Sequence, residues 1–474
     1  MTEPNFQGRN INLVKQHNLQ AILLNLLYDP VLSRVQLARR LNLSNTTITN
    51  LIAELIKEGI VTEINTNQEI DKKRPVGRPR TSICLEPSAR YVIGIHIGVG
   101  IFRVGLANLR AEIIDNHTQH FDTNSPVGEV LGLIEVHTEN MYLLTGLVKG
   151  RHIWLKSAYF WVRRHIWLPQ IWRFSAVLHL FHHIFWCGNY PVSRYENIIK
   201  QSGIGRDWIL GVGVGASGLV DFSTGVNLFA PNLDWHDVPL RDELQKRLSL
   251  PVIVDNNVRT MAIAETYFGA GRGVDSVAFI YGRTGVGAGL TFKGRVFRGS
   301  SKGAGEIGHC VLLPHGGETC RCGNSGCLET IISESAILRE AQNIAGSNPG
   351  GILARMLENC ADQSPIECVF DAARQGDSLV TEMIEARAYY LGIALVNLIN
   401  LFNPDLILLG GIFSRGEDLF IAPVTQIIQR MAFSGMGKQV RLQATGFGWK
   451  AGVIGAAALA LLHFFYQQRD DCLS

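Results

Sequence analysis

The chain has 474 residues, a formal net charge of +3, 46% hydrophobic residues and 49 glycines. That composition excludes a disordered, fibrous or coiled-coil chain, and the length is too great for one core, so two or three domains are expected. The charge is uneven: residues 1–90 carry twelve Lys and Arg against eight Asp and Glu, and residues 142–195 carry seven basic residues and no acid. The rest of the chain is therefore acidic, and a basic front end on an acidic body points to a polyanion-binding head. The N-terminus lacks an apolar signal core, and the nine cysteines are an odd number. Both argue for a reducing cytoplasm rather than a disulfide framework.

Residues 10–28 predict a helix with leucines near helical spacing, stopped at Asp29-Pro30. Ser33 can cap a second helix, VQLARRLNL, and Ser44 can cap a third, NTTITNLIAELIKEGI, which ends at Gly59. A strand-like Ile60–Ile64 follows, so the pattern reads as a winged helix-turn-helix over residues 1–70. The third helix opens on Ser44, Asn45, Thr46, Thr47, Thr49 and Asn50, side chains able to reach base edges and phosphates. Spacing alone leaves a small helical interaction module open. The next stretch, DKKRPVGRPRT, is basic and proline-fixed, and its Gly-Arg-Pro-Arg resembles an AT-hook core that would lay Arg78 and Arg80 in a minor groove. Its other reading is a solvated linker; residues 71–90 are expected to form a basic arm.

From residue 91 to 474 short apolar runs alternate with glycine-rich turns. YVIGIHIGVGIFRVGLANL predicts two strands joined at Gly98–Gly100, and ILGVGVGASGLVD a buried strand and turn. LPVIVDNN predicts a strand ending in the polar Asn256 and Asn257, with Asn232 in a nearby turn. Residues 279–299 predict a hairpin, 404–413 a core strand, and 451–463 an apolar closing helix whose 13 residues are too short to span a bilayer. Residues 142–195 stand apart, with five of the eight tryptophans and five of the fourteen histidines. Three readings compete: a membrane-surface element, a partner- or metal-binding insertion, and an in-frame insertion with no selected structure. The last is favoured because the composition is foreign to the flanks.

The stretch GEIGHCVLLPHGGETCRCGNSGCLET places Cys320, Cys322 and Cys327 inside eight residues, with His309 eleven residues before Cys320. Three thiolates and an imidazole form the closed set that structural zinc takes, and Gly323 and Gly326 allow a tight knuckle. Ordinary buried thiols or a disulfide are the alternatives, but C-x-C-x4-C with interleaved glycines fits zinc better. A metal here would hold Glu306 and Glu329 toward one cleft, ready to accept hydrogen bonds from a hydroxyl-rich ligand.

The E-x-G-H and C-x-C-G-x-x-G-C-x-E pair resembles the signature of the ROK family (repressors, open reading frames, kinases), over residues 10–141 and 196–462. The resemblance implies an α/β chain in which a winged helix-turn-helix precedes a two-lobed, actin-like (ribonuclease H-like) ATPase-fold sugar-binding domain. It implies Zn2+ on His309, Cys320, Cys322 and Cys327, and sugar contacts from Glu306, His309 and Glu329, with Asn232, Asn256 and Asn257 around the same ligand. The family's kinases carry an Asp before the first glycine turn and an N-D pair whose Asp is the general base. Here those positions are His96 and Asn257, which can neither hold Mg2+ near phosphates nor accept a proton at a useful pKa. The expectation is a cytoplasmic, non-enzymatic repressor of carbohydrate-utilisation genes, a homodimer or tetramer without a membrane span. It would bind double-stranded operator DNA, with affinity set by a sugar or sugar phosphate. The alternatives are a sugar kinase with an added DNA-binding domain and a repressor relieved by a partner protein.

Overall fold

A computed structural model describes residues 11–65, 81–139, 206–300, 302–359 and 363–467. Arg78, Arg80 and the 142–195 segment lie outside the described residues.

The head begins with α1 (Ile11–Tyr28), a two-residue β1 (Leu32–Ser33) and α2 (Arg34–Leu41). Ser33 and Gln36 form a reciprocal capping box at the start of α2, and Asn42, at φ 52°, turns the chain out of it. Ser44 caps α3 (Asn45–Lys57) by accepting from the Thr47 N–H at 3.0 Å. Ile48, Leu51, Ile52 and Leu55 repeat at helical spacing on α3 and bury against Ile22 and Leu26 of α1 and Leu37 of α2. The strands β2 (Val61–Asn65) and β3 (Thr81–Leu85) pair antiparallel from Val61↔Leu85 to Asn65↔Thr81, with β1 on the other side of β3. The head's sheet therefore continues past residue 70, to Leu85.

Two five-stranded sheets make the body. The first, ordered β11-β7-β4-β5-β6, contains β4 (Tyr91–Gly98), β5 (Ile101–Asn108), β6 (Ile113–His120), β7 (Ile209–Ala216) and β11 (Val252–Asn256). A small sheet of β8 (Leu219–Asp221), β9 (Val226–Ala230) and β10 (Trp235–Val238) extends it. The second, ordered β14-β13-β12-β15-β16, contains β12 (Ser276–Gly282), β13 (Val286–Phe292), β14 (Arg295–Val296), β15 (Leu406–Gly411) and β16 (Arg441–Ala444). Each sheet repeats one plan: an antiparallel meander on one side and parallel strands on the other (β4, β7 and β11; β12, β15 and β16). Both are covered by helices, as parallel strands require. The second lobe's core includes two helices that sequence reading did not single out, Ile352–Glu358 and Pro365–Arg374.

The helix Ala451–Leu461 is buried along its whole length between the first sheet and the helix Asn257–Phe268. Glycines permit this approach: a Cβ on Gly213 would lie 2.0 Å from the Ala456 carbonyl oxygen, and one on Gly94 2.5 Å from that of Val453. With short 3-10 and π segments at its ends, the helical stretch runs Gly448–Tyr466, 19 residues. The expected length of 13 was therefore too short. By length and composition alone this stretch could cross a membrane, but 72% of its apolar window is buried inside the protein.

Head and body share one apolar cluster, in which Ile22 and Leu26 join Tyr267, Ile454 and Tyr466. Tyr28 stacks on Tyr267 at 6.4 Å between ring centroids, and Arg272 donates to the carbonyls of Leu27 and Tyr28 at the end of α1.

Candidate functional site

The cleft between the lobes is built where strands end. On the first lobe β11 runs directly into the helix Asn257–Phe268, and Asn256 caps it, accepting from the N–H groups of Val258 and Arg259. Asn256 also donates to the Gly218 carbonyl at 2.9 Å, so most of its hydrogen-bonding capacity holds the turn in place. Asn257 donates to the Ser217 hydroxyl at 3.3 Å. Asn232, Asn256, Asn257, Glu306, His309 and Glu329 all line this one cleft, although they are spread over almost a hundred residues.

Beneath the asparagines lies a network that sequence reading missed. Asp255 is fully buried and accepts from Arg259 Nε at 2.7 Å, Arg298 Nη2 at 2.8 Å and the Asn256 N–H at 2.8 Å. Arg259, 1% exposed, completes its donors on the carbonyls of Val220 and Lys302. The signal was present as Asp-x-x-x-Arg across a strand-to-helix junction, where i and i+4 face each other. The network fixes the turn that presents Asn256 and Asn257.

On the second lobe Glu329 accepts the Val286 N–H at 2.9 Å, and a Cβ on Gly285 would sit 2.9 Å from the same carboxylate oxygen. Glycine is thus needed in this turn to let Glu329 reach the backbone. Burial, and then the neighbouring Glu329, raise the Glu306 carboxyl above the ordinary range, against the pull of His309 and Arg259. Two acids at one wall favour hydroxyl donors as ligands.

Behind that wall sit His309, Cys320, Cys322 and Cys327, with ligand atoms all within 4.8 Å of one another. Cys320 Sγ lies 3.7 Å from His309 Nδ1, and Cys322 Sγ 3.7 Å from Cys327 Sγ. Ligands on a tetrahedral zinc at about 2.0–2.3 Å are separated by roughly 3.3–3.8 Å, so the donor set fits that ion. Gly323 and Gly326 have φ of +96° and +72°, and a Cβ on Gly326 would lie 1.8 Å from the Leu313 carbonyl oxygen. Cys310 is exposed and outside the set. Arg321, inside the knuckle, donates to Asn232 at 2.8 Å and ties it to the first lobe. The knuckle cysteines, Cys84 and Cys310 are free, while Cys368 is disulfide-bonded.

His96 lies near the end of β4 at the cleft, 2% exposed, and neither ring nitrogen has a hydrogen-bond partner. Burial first, then Arg103 and Arg283, lower its pKa to about 3, so it is neutral at physiological pH.

In the head, Asn45, Thr46, Thr49 and Asn50 are exposed along the start of α3. The Ser44 and Thr47 hydroxyls are 2.8 Å apart, and that of Thr49 donates to the Asn45 carbonyl. Ser44 is thus engaged as the cap, and the unengaged amides of Asn45 and Asn50 are the long donors and acceptors left on this face.

Residues 196–462 match the ROK family, and residues 16–62 match a winged helix-turn-helix DNA-binding family. The xylose repressor of Caldicellulosiruptor bescii is 27% identical over 454 residues, 95% of this chain and 97% of that protein. The glucokinase of Halalkalibacterium halodurans is 36% identical over 251 residues, 53% of this chain and 76% of the kinase. Among solved structures, a ROK family transcriptional regulator described as a homologue of the E. coli MLC protein superposes with a TM-score of 0.70 at 24% identity, over 96% of this chain and 97% of that one. That likeness extends the shared fold across head and body together. With more than half of its residues matched, the chain belongs to the ROK family and carries a winged helix-turn-helix DNA-binding domain ahead of its two-lobed body.

Proposed function

We propose that the chain is a transcriptional repressor of carbohydrate-utilisation genes, whose affinity for operator DNA is set by a sugar-class ligand held in the cleft. One observation carries the reading: a single helix joins the two sites. Asn256 and Asn257 open the helix Asn257–Phe268 at the cleft, and Tyr267 near its other end stacks on Tyr28 of the head. Twelve residues span about 18 Å. A ligand that pulls the asparagine turn toward Glu306 and Glu329 closes the lobes, and the far end of the helix moves the head. Ligand and operator are then coupled through one element with two placements. A C. bescii relative of similar length is named a xylose repressor, which supports the class of gene controlled.

In this reading Asn45, Thr46, Thr47, Thr49 and Asn50 face DNA, with Ser44 as cap and Arg78 and Arg80 on the basic arm. Asn232, Asn257, Glu306 and Glu329 bind sugar hydroxyls, and Asn256 positions them. His309, Cys320, Cys322 and Cys327 would hold zinc, which supplies a rigid cross-link behind the sugar wall. Two-fold operators call for a dimer or tetramer, in the cytoplasm where DNA is.

The rival reading, a sugar kinase with an added head, is supported by the similarity to glucokinases. Against it, no carboxylate stands at residue 257 to take the sugar proton, and His96 is neutral and cannot hold Mg2+. The test is operator binding by the purified chain with and without sugars, beside an assay of ATP-dependent sugar phosphorylation. Ligand-dependent DNA affinity with no phosphorylation supports repression; phosphorylation of any sugar contradicts it.

A further inference from the structure

Away from the cleft, at the edge of the first sheet, three neighbouring side chains each bury a polar atom without a hydrogen-bond partner: Asp115 Oδ2, His117 Nε2 and His137 Nδ1. The chain brings them together simply. β6 is the edge strand of that sheet, and residues two apart on a strand share a face, so Asp115 and His117 point the same way. Their partners on β5 are Leu106 and Val104, which enter the core beneath a helix over residues 127–139. Val130 and Ile134 of that helix pack in the same core, and His137 continues their stripe one turn on. Its ring meets Phe102 edge-on at 5.5 Å between centroids and stands 5.9 Å from the ring of His117. One histidine from the helix thus faces an Asp-x-His pair on the strand.

Asp115 Oδ1 accepts the Asn116 N–H at 2.8 Å, which leaves Oδ2 to His117 Nε2. Those two atoms approach to 3.5 Å without forming a hydrogen bond. Each unpaired buried polar atom is costly, and three side by side call for a common partner. The side chains of Asp115 and His117 are each 35% exposed, so an ion can reach the buried atoms from solvent. A separation of 3.5 Å suits two nitrogen or oxygen donors on one tetrahedral ion, for which roughly 3.3–3.6 Å is expected. Two imidazoles on one ion have ring centres about 5 Å apart, so His137 has only to close by about 1 Å.

We propose that Asp115, His117 and His137 form a site for a divalent first-row transition cation, distinct from the cysteine knuckle, and that the ion pins the helix to the edge strand. Two imidazoles disfavour Mg2+ and Ca2+, which take oxygen ligands. Three protein ligands leave a position for water, so this ion is held more weakly than one on the four ligands of the knuckle. None of the three residues lines the cleft, so the site stands apart from sugar recognition.

The test uses the full chain with zinc on the knuckle and excess metal dialysed away. Cobalt(II) chloride is titrated in and followed by absorption and calorimetry, with metal analysis after gel filtration. The expected result is one Co2+ per chain beyond the knuckle zinc. Its d–d absorption should lack the thiolate-to-cobalt charge-transfer band that a knuckle ion gives. H117Q and H137Q should each weaken binding by about tenfold or more. H120Q, which removes an exposed histidine of the same strand, and excess Mg2+ should leave it unchanged. Each variant is checked for a cooperative melt; His117 is at the sheet edge, so H117Q carries the test if H137Q does not fold. No cobalt beyond the knuckle, a charge-transfer band with release of zinc, equal affinity in H117Q and wild type, or an equal loss in H120Q would overturn the proposal.

Discussion

Asp255 and His96 occupy matching places, at the ends of the two strands that flank β7, and both are almost wholly buried. Asp255 receives two guanidiniums and a backbone N–H, whereas His96 receives nothing. A buried polar group without a partner is costly, so the first site is complete within the chain and the second is left open. One half of the cleft is internally satisfied, its asparagine turn held by the Asp255 network. The other is charged and unfinished, as a site that waits for a ligand should be.

The comparison can be broken at several points. Removing the metal should have the largest effect, because structural zinc contributes on the order of 10 kcal/mol to holding its ligand set. A strong chelator, or C327A, is expected to lower the melting temperature and abolish sugar binding in calorimetry; an unchanged melt would contradict a structural metal. D255A leaves the buried Arg259 and the half-buried Arg298 without their carboxylate and should destabilise by about 3–5 kcal/mol in urea denaturation. A loss under about 1 kcal/mol would mean that the network does not hold the asparagine turn.

His96 gives a pH signature. Its pKa is about 3 in the folded chain against 6.5 for the free side chain, so below 6.5 the unfolded chain binds the extra proton. Stability is therefore fully present above pH 6.5 and falls as the pH drops toward about 3, by up to about 1.4 kcal/mol per unit. H96Q should remove that slope from urea melts between pH 7 and 5; an identical slope in both proteins would contradict a buried neutral imidazole. The smallest effect belongs to the head contact. Y28A removes a stacked ring pair worth about 0.5–1.5 kcal/mol, and should leave operator affinity close to wild type while shrinking the change that ligand produces.

Much of this was legible in the sequence. The knuckle ligands were readable because metal geometry forces short, glycine-interleaved spacing, and the head because Ser33 and Ser44 announce their helices. Glu306, Glu329 and the asparagines were placed through the family pattern, and the strand ends bring them together. Other features were not legible. The pairing of Val61–Asn65 with Thr81–Leu85 across residues 71–80, a stretch read as a basic arm, is non-local and leaves no periodic mark. Arg103 and Arg283 are 180 residues apart in sequence and come within electrostatic reach only because the lobes face each other. The Asp255–Arg259 pair was visible as spacing, yet its meaning depends on Arg298, Val220 and Lys302 closing around it. The closing helix was read as ending at residue 463 because its π turn through Tyr466 looks no different in composition.

The most direct measurement is fluorescence anisotropy of an operator duplex, selected from random DNA by the purified chain, titrated with and without saturating ligand. The account predicts at least a fivefold change in operator affinity, reduced when the Tyr28–Tyr267 contact is removed. An operator affinity that is the same at saturating ligand as without it would contradict the account.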